Sequence, residues 1–495
     1  MNIEGLKSVD FDSRIVPNPV KPVVFVSGRY YEMGVQYGLQ QKELIRRNAS
    51  LALAEAIEIQ GDREAVFENT VKYRDITFEK APEIVEMWEG ISDGAEVPFE
   101  QIVLLNCKIP ISYGAKRCSA IAAWGRATEN GETIAAGNVD GRRELAYFGV
   151  ILIAHPHQGN AVIASVDLAG QVCSGFCIND KGVMAMMTGG QTGRTEDRQD
   201  GYDPTGVAIK SLFSGETAEE ALEIARELKI FAGLSMIFAD KGGSAYAYEH
   251  TSAVEAVRRP GDFGEGDYIG IANHYMCEEM QEAHEEPQSY EDSDVDSRVR
   301  YAAEGELIKG SYGRLNVEGM CDILSCNDLW DQEKEEWIEN FIPSGGYEKE
   351  NECEPNMRGI IYQTTATCCG KAETGQLWVR VGCRDRFMSY MPQYLGEFTE
   401  ISLEKSELES VNYAEKACCE AIWKAGRKLS MGDKENIKAM EFLRDAKIKL
   451  WEAQNEKTKG KNSGTKGETL LHYGNAATGF MLGQAMAKAA ESFCG

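Results

Sequence analysis

Hydrophobic and polar positions change rhythm twice along this chain. From Glu32 to about Gln60, Leu44, Ile45, Leu51, Leu53, Ala56 and Ile57 recur near a 3.6-residue period, which predicts a helix. Segments 81–95 and 98–109 predict two more, the second opening on Pro98, where a missing N–H costs nothing. Ahead of them a polar lead-in over residues 1–22 gives way to one short apolar run, Val23–Val26, expected as a strand. The first 117 residues are therefore expected to be mostly helical.

From Cys118 the rhythm shortens to β-branched and small-residue runs broken by glycine and asparagine. Strands are expected at 148–154, 161–168, 175–178 and 183–188, the last two joined by the turn Asn179-Asp180-Lys181-Gly182. Helices follow at 205–213 and 218–228, with Thr217 as N-cap of the second. Strands 234–239 and 245–249 flank Asp240-Lys241-Gly242-Gly243, and a further strand covers 268–272. Segment 277–294 is acidic and expected as an exposed loop; 297–308 and 317–324 return to helical spacing, and 329–356 is irregular and charged. Runs at 359–365 and 377–382 form a late strand pair around a turn at 371–375.

After about Ser402 the spacing is helical again, over 403–427, 433–456 and 468–492, with the basic run KTKGKNSGTKG at 457–467 expected as a flexible connector. Small residues in the last helix suit close helix packing, either in the core or between subunits. Strands, a helical pair and strands again indicate an α+β layered fold. Three parts are expected: a helical segment 1–117, a catalytic core 118–400 and a helical extension 401–495.

One hairpin concentrates the chemistry. Asn130-Gly131 between two apolar runs is a strong hairpin signal. It folds the chain so that Cys118, at the start of one strand, meets Asn138 and Asp140 at the end of the other. A thiol, an amide and a carboxylate then share one rim of a sheet. If the peptide bond before Cys118 breaks, that residue carries both a thiol and an α-amine. Such an amine titrates near ~8 and can act as base for its own side chain.

The run Cys118-Ser119-Ala120-Ile121-Ala122-Ala123, the Asn-Gly turn and Gly137-Asn138-Val139-Asp140 together resemble the start of the mature chain in the acyl-coenzyme A:6-aminopenicillanate acyltransferase family, autoproteolytic cysteine N-terminal-nucleophile hydrolases. Upstream, Gly28-x-x-x-Glu32-x-Gly34-x-Gln36-x-Gly38 is similar to that family's opening signature, and Glu89-Gly90 to Ala95 with Leu104-Leu105-Asn106 to its next helices. Downstream, Asn273-His274-Tyr275 resembles its N-H-aromatic segment. The resemblance runs over roughly residues 23 to 395. It departs at Lys116-Arg117, where glycine often precedes the nucleophile, and at Gly137, where related bile-salt and penicillin V hydrolases carry an arginine.

The resemblance implies a four-layer αββα sandwich and an enzyme that cleaves itself before Cys118. It then cleaves a linear amide through a thioester on Cys118, passing the acyl group to water or to an acceptor amine. Asn273 is expected to hold the oxyanion, Asp140 and Asn138 to orient the amine, and Arg358 to be the late arginine near the nucleophile. That chemistry needs no imidazole, so it assigns none to His274. Two other functions stay open: a lipid amidase or phospholipase B-like hydrolase, and an unprocessed, non-catalytic binding protein.

Composition narrows the partners. A net charge of −27 with a pI near 4.8 argues against nucleic acid and anionic membranes. No apolar run of eighteen residues is present, so no membrane span is expected, and the N-terminus lacks a secretory pattern. Fourteen cysteines in that setting are expected as reduced thiols of a cytoplasmic protein. Their spacing fits no metal site, and His155 with His157 are taken as structural. No cofactor is expected; a small amide or acyl substrate is, and a homo-oligomer remains open.

Overall fold

The computed structural model describes residues 20–107, 118–157, 160–172, 176–189, 204–228, 233–251, 253–281, 291–324, 326, 329–331, 336–338, 362–381, 399–403, 405–431 and 436–493. Strand β1 (Val23–Gly28) leads into five helices: α1 (Tyr30–Gln40), α2 (Lys42–Gln60), α3 (Arg63–Lys80), α4 (Pro82–Ala95) and α5 (Phe99–Cys107). The expected single helix over 32–60 is two, broken at Gln41, whose N–H still caps back to Tyr37. Asp62 starts α3 by accepting from the N–H groups of Glu64 and Ala65.

The glycine signature near the N-terminus is a packing device. Gly34 and Gly38 on α1 lie against Gly90 and Gly94 on α4. A Cβ on Gly34 would come 2.2 Å from the Met87 carbonyl, and one on Gly90 2.1 Å from that of Tyr31. The polar members fix the start of the helix. Glu32 accepts from the Arg29 N–H at 3.0 Å, while the Gln36 amide exchanges two hydrogen bonds with the Ser27 backbone, at 2.9 and 2.8 Å. Asn106 is also structural: fully buried, it donates to Gly170 and Ile102 carbonyls and accepts from Val172 N–H.

Next come β2 (Ser119–Gly125), β3 (Gly131–Arg142), β4 (Gly149–Pro156), β5 (Ile163–Leu168), β6 (Phe176–Asn179), β7 (Val183–Gly189), α6 (Pro204–Ser214) and α7 (Ala218–Glu227). The chain continues through β8 (Leu234–Asp240), β9 (Ala245–His250), β10 (Glu255–Arg258), β11 (Tyr268–Ile271), α8 (Glu278–Gln281), α9 (Glu291–Ser311) and α10 (Val317–Leu324). The segment expected as an acidic loop thus contributes α8 and the first turn of α9. A small pair, β12 (Leu329–Asp331) and β13 (Glu336–Ile338), precedes β14 (Tyr362–Lys371), β15 (Gln376–Val381) and β16 (Thr399–Ser402).

Two sheets stack face to face. One is eight-stranded, ordered β1-β4-β5-β6-β7-β8-β9-β10, with only β1–β4 parallel; the other is six-stranded, ordered β11-β2-β3-β14-β15-β16. Alternation along each strand sends one set of side chains into each neighbouring layer. Ala120, Ala122, Ile151, Ile153, Ala366 and Cys368 fill the space between the sheets. Val150, Leu152 and Phe238 pack outward under α1–α7, and Ile121, Ala136 and Cys369 pack outward under α9 and α10. The result is the expected αββα sandwich.

The chain ends in α11 (Glu407–Met431), α12 (Ile437–Asn462) and α13 (Lys466–Ser492). The small residues of α13 pack within the chain: a Cβ on Gly474 would sit 2.6 Å from the Val23 carbonyl, and one on Gly483 2.8 Å from Cys418 Sγ. The expected basic connector is not one. Lys457–Asn462 complete α12, where cations suit the carbonyl end of a helix, and Lys457 pairs with Glu415. Gly460 is there because a Cβ would lie 2.6 Å from the Tyr473 ring.

Candidate active site

The β2–β3 hairpin forms as its sequence indicates, with Gly131 at φ +76° after the turn and Ser119 paired with Asn138. Cys118 stands immediately before β2 and is half-buried. Arg126, in the loop, bonds Asp267 through both its N–H, at 2.7 Å, and its guanidinium. That pins the hairpin to the residue preceding β11, whose antiparallel pairing with β2 sets Ala120 opposite Ile271.

Continued past its last pair, this register brings Cys118 level with Asn273. Arg300, on α9, closes the arrangement: Nη1 donates to the Cys118 carbonyl and Nη2 to Asn273 Oδ1, both at 2.9 Å. The Asn273 side chain is fully buried and donates from Nδ2 to the Gly189 carbonyl at 2.7 Å. One residue earlier, the Thr188 hydroxyl bonds the Ala272 carbonyl at 2.5 Å. The ends of β7 and β11, one from each sheet, are therefore tied together where β2 begins.

The segment after Asn273 is held from two sides. Ser297 Oγ accepts from the Asn273 N–H at 2.7 Å and lies 2.8 Å from His274 Nδ1. Glu249 Oε2 accepts from Met276 and Cys277 N–H, at 2.9 and 3.0 Å. Burial pushes the Glu249 carboxyl above its usual range, against those bonds and the neighbouring Arg258. Arg258, buried, also bonds Glu265 and the Gly270 carbonyl in β11.

The remaining predicted residues divide. Asn138 sits on the outer face of β3, opposite Ser119, with its amide donating to the Leu324 carbonyl of α10 at 3.0 Å and accepting from Thr367 at 2.8 Å. Its observed partners make it a strut between the hairpin and α10. Arg380, fully buried on β15, donates to the same Thr367 hydroxyl at 3.0 Å and so extends that chain of bonds. Asp140 lies in β3, paired with Thr364 of β14. Arg358 lies outside the described residues. His155 is half-buried on β4, and burial lowers its pKa.

Arg300, like Ser297 and Glu249, carries no mark in the sequence that sets it apart. It sits in a polar helix where no spacing rule separates it from Arg298; only the docking of α9 onto β11 selects it. Among the described residues, no cluster of three or more His, Cys, Asp or Glu side chains offers a metal site, and no helix is long and apolar enough to cross a membrane.

Over residues 126–348 the chain matches the acyl-coenzyme A:6-aminopenicillanic acid acyl-transferase family, so the resemblance drawn from the motifs is borne out there. That span takes in Asn138, Asp140, Asn273 and Arg300 and begins past Cys118. No curated protein sequence matches the chain. Solved structures similar to it include a Caenorhabditis elegans N-acylethanolamine-hydrolyzing acid amidase ortholog, at 11% identity and TM-score 0.34, covering 51% of this chain and 92% of that one. Another is a penicillin V acylase from Agrobacterium tumefaciens, at 12% identity and TM-score 0.35, covering 58% and 87%. A third is a mutant form of a conjugated bile acid hydrolase from Clostridium perfringens, at 10% and 0.36, covering 58% and 93%. At such identities and TM-scores, no residue role is carried across from them.

Proposed function

We propose that this chain, similar over residues 126–348 to the acyl-transferase family, is a hydrolase or acyltransferase that opens a linear amide with Cys118 as nucleophile. The observation that supports it best is the convergence of Cys118 and Asn273 on one guanidinium, that of Arg300. A nucleophile and an amide donor held by a common cation are the two groups an acyl transfer needs close together.

Maturation comes first. The Cys118 thiol attacks the Arg117 carbonyl, the C–N bond breaks as the nitrogen takes a proton, and water then hydrolyses the resulting thioester. Cys118 is left with a free α-amine. In turnover that amine takes the thiol proton, and sulfur adds to the substrate carbonyl. Asn273 has two amide N–H groups; Gly189 takes one, and the other is assigned to the developing oxyanion. Such a donor contributes about 3 kcal/mol in comparable sites. The amine leaves with the proton from the Cys118 ammonium, and water or an acceptor amine releases the acyl group from sulfur.

Arg300 acts through the other two. Its planar fork fixes the Cys118 backbone and turns the Asn273 side chain so that oxygen faces the guanidinium and nitrogen faces away. A panel of acyl 4-nitroanilides, from acetyl to palmitoyl, tests the reading. Release of 4-nitroaniline by the wild type and none by Cys118→Ala supports it. Equal rates in the two, or none with any member, contradict it. A preference for the longest chains would favour a lipid amidase.

A further inference from the structure

We infer that Ser297 is a positioning residue for Asn273, and that α9 is the clamp through which it works. The inference rests on the assignment of Asn273 to the oxyanion. Strand β11 ends at Ile271, so Asn273 lies beyond its last ladder pair and its N–H has to find an acceptor elsewhere. Ser297 Oγ supplies it at 2.7 Å. A buried N–H without a partner is costly, so this bond fixes where the Asn273 backbone, and hence its side chain, can sit.

The same hydroxyl is shared with His274. Having accepted from Asn273 N–H, Ser297 has one proton to give, and Nδ1 of His274 lies 2.8 Å away. Ser297 is fully buried, with its hydroxyl engaged on both sides, so it is not itself a nucleophile.

Helical spacing does the rest. Ser297, Arg300 and Tyr301 stand at i, i+3 and i+4, on one face of α9. Ser297 holds the Asn273 backbone, Arg300 its side chain, and Tyr301 meets the His274 ring edge-on at 5.6 Å between centroids. The Tyr301 hydroxyl donates to Glu265 at 3.0 Å, and Glu265 pairs with Arg258, which bonds the Gly270 carbonyl of β11. The clamp is therefore anchored to the strand that delivers Asn273.

The test is a double-mutant cycle on the full chain, read with the acyl 4-nitroanilide turned over fastest. Ser297→Ala is expected to lower kcat about 10-fold or more with KM within about twofold, since the lost bond orients a group needed only in the transition state. Ser297→Thr, which keeps the hydroxyl, should restore most of that rate. Adding Ser297→Ala to Asn273→Ala should cost nothing further, because the serine acts only through the asparagine. If the alanine variant does not fold, Ser297→Cys, with a weak acceptor of similar shape, is read in its place. An unchanged kcat in Ser297→Ala, or a loss that adds fully to that of Asn273→Ala, overturns the inference alone. An undiminished kcat in Asn273→Ala removes the assignment of Asn273 itself, and the inference with it.

Discussion

Cys118 and Asn273, each two residues beyond the last β2–β11 pair, Ala120 with Ile271, share one guanidinium, that of Arg300. They belong to distant parts of the chain, and no local rule joins them. Their link is Arg300, which donates to the backbone of one and the side chain of the other.

Replacing Arg300 should therefore disturb both partners at once. A hydrogen bond to a charged group is worth about 1.5–3 kcal/mol, so losing the one that orients Asn273 is enough to lower kcat by about 10- to 100-fold in Arg300→Ala. Arg300→Lys should recover little, because an ammonium lacks the planar fork that reaches two acceptors in fixed directions. Steady-state kinetics of the two variants checks this; full activity in the lysine variant would show that charge alone matters.

A second expectation concerns stability, away from the site. Gly34→Ala or Gly90→Ala forces apart the backbones of α1 and α4, where the added Cβ would lie within 2.2 Å of a carbonyl oxygen. Overpacking of this kind costs about 1–3 kcal/mol or more. Chemical denaturation should show a lower midpoint for both variants. An unchanged midpoint would mean that the helices can separate freely.

How much of this is legible in the sequence follows from the range of the signals. The β2–β3 hairpin, the strands around Asn179-Asp180-Lys181-Gly182 and the N-cap Thr217 all form as expected, because turn and cap chemistry is local. The glycine signature is visible, but its purpose is not: the partner helix lies some fifty residues away in sequence, so only the fold shows Gly34 against Gly90. Lys457–Asn462 reads as flexible because glycine and lysine are common in linkers, whereas here the glycine makes room for Tyr473. α3 carries its apolar residues too evenly around its surface to announce a face. Arg300, Ser297 and Glu249 are out of reach for a similar reason. Each matters through long-range contacts with the segment that follows β11, and Arg300 through the Cys118 carbonyl as well.

A third expectation concerns acid. His250 is buried on β9 without a hydrogen-bond partner for either ring nitrogen among the described residues, and burial depresses its pKa to about 3 from an ordinary value near 6.5. A depressed folded-state pKa means that its contribution is complete above 6.5 and is lost as pH falls toward 3. Each unit in that window costs about 1.4 kcal/mol. Unfolding free energy measured against pH should fall less steeply for His250→Phe than for the wild type, by about one proton. Parallel curves would show that the ring does not resist protonation.

Intact mass shows whether Cys118 becomes an N-terminal nucleophile. Freshly purified wild type should give two pieces, of 117 and 378 residues (495 − 117), while Cys118→Ala stays whole. A single full-length species in both proteins would leave Cys118 with no α-amine to take its proton, and the mechanism would fail.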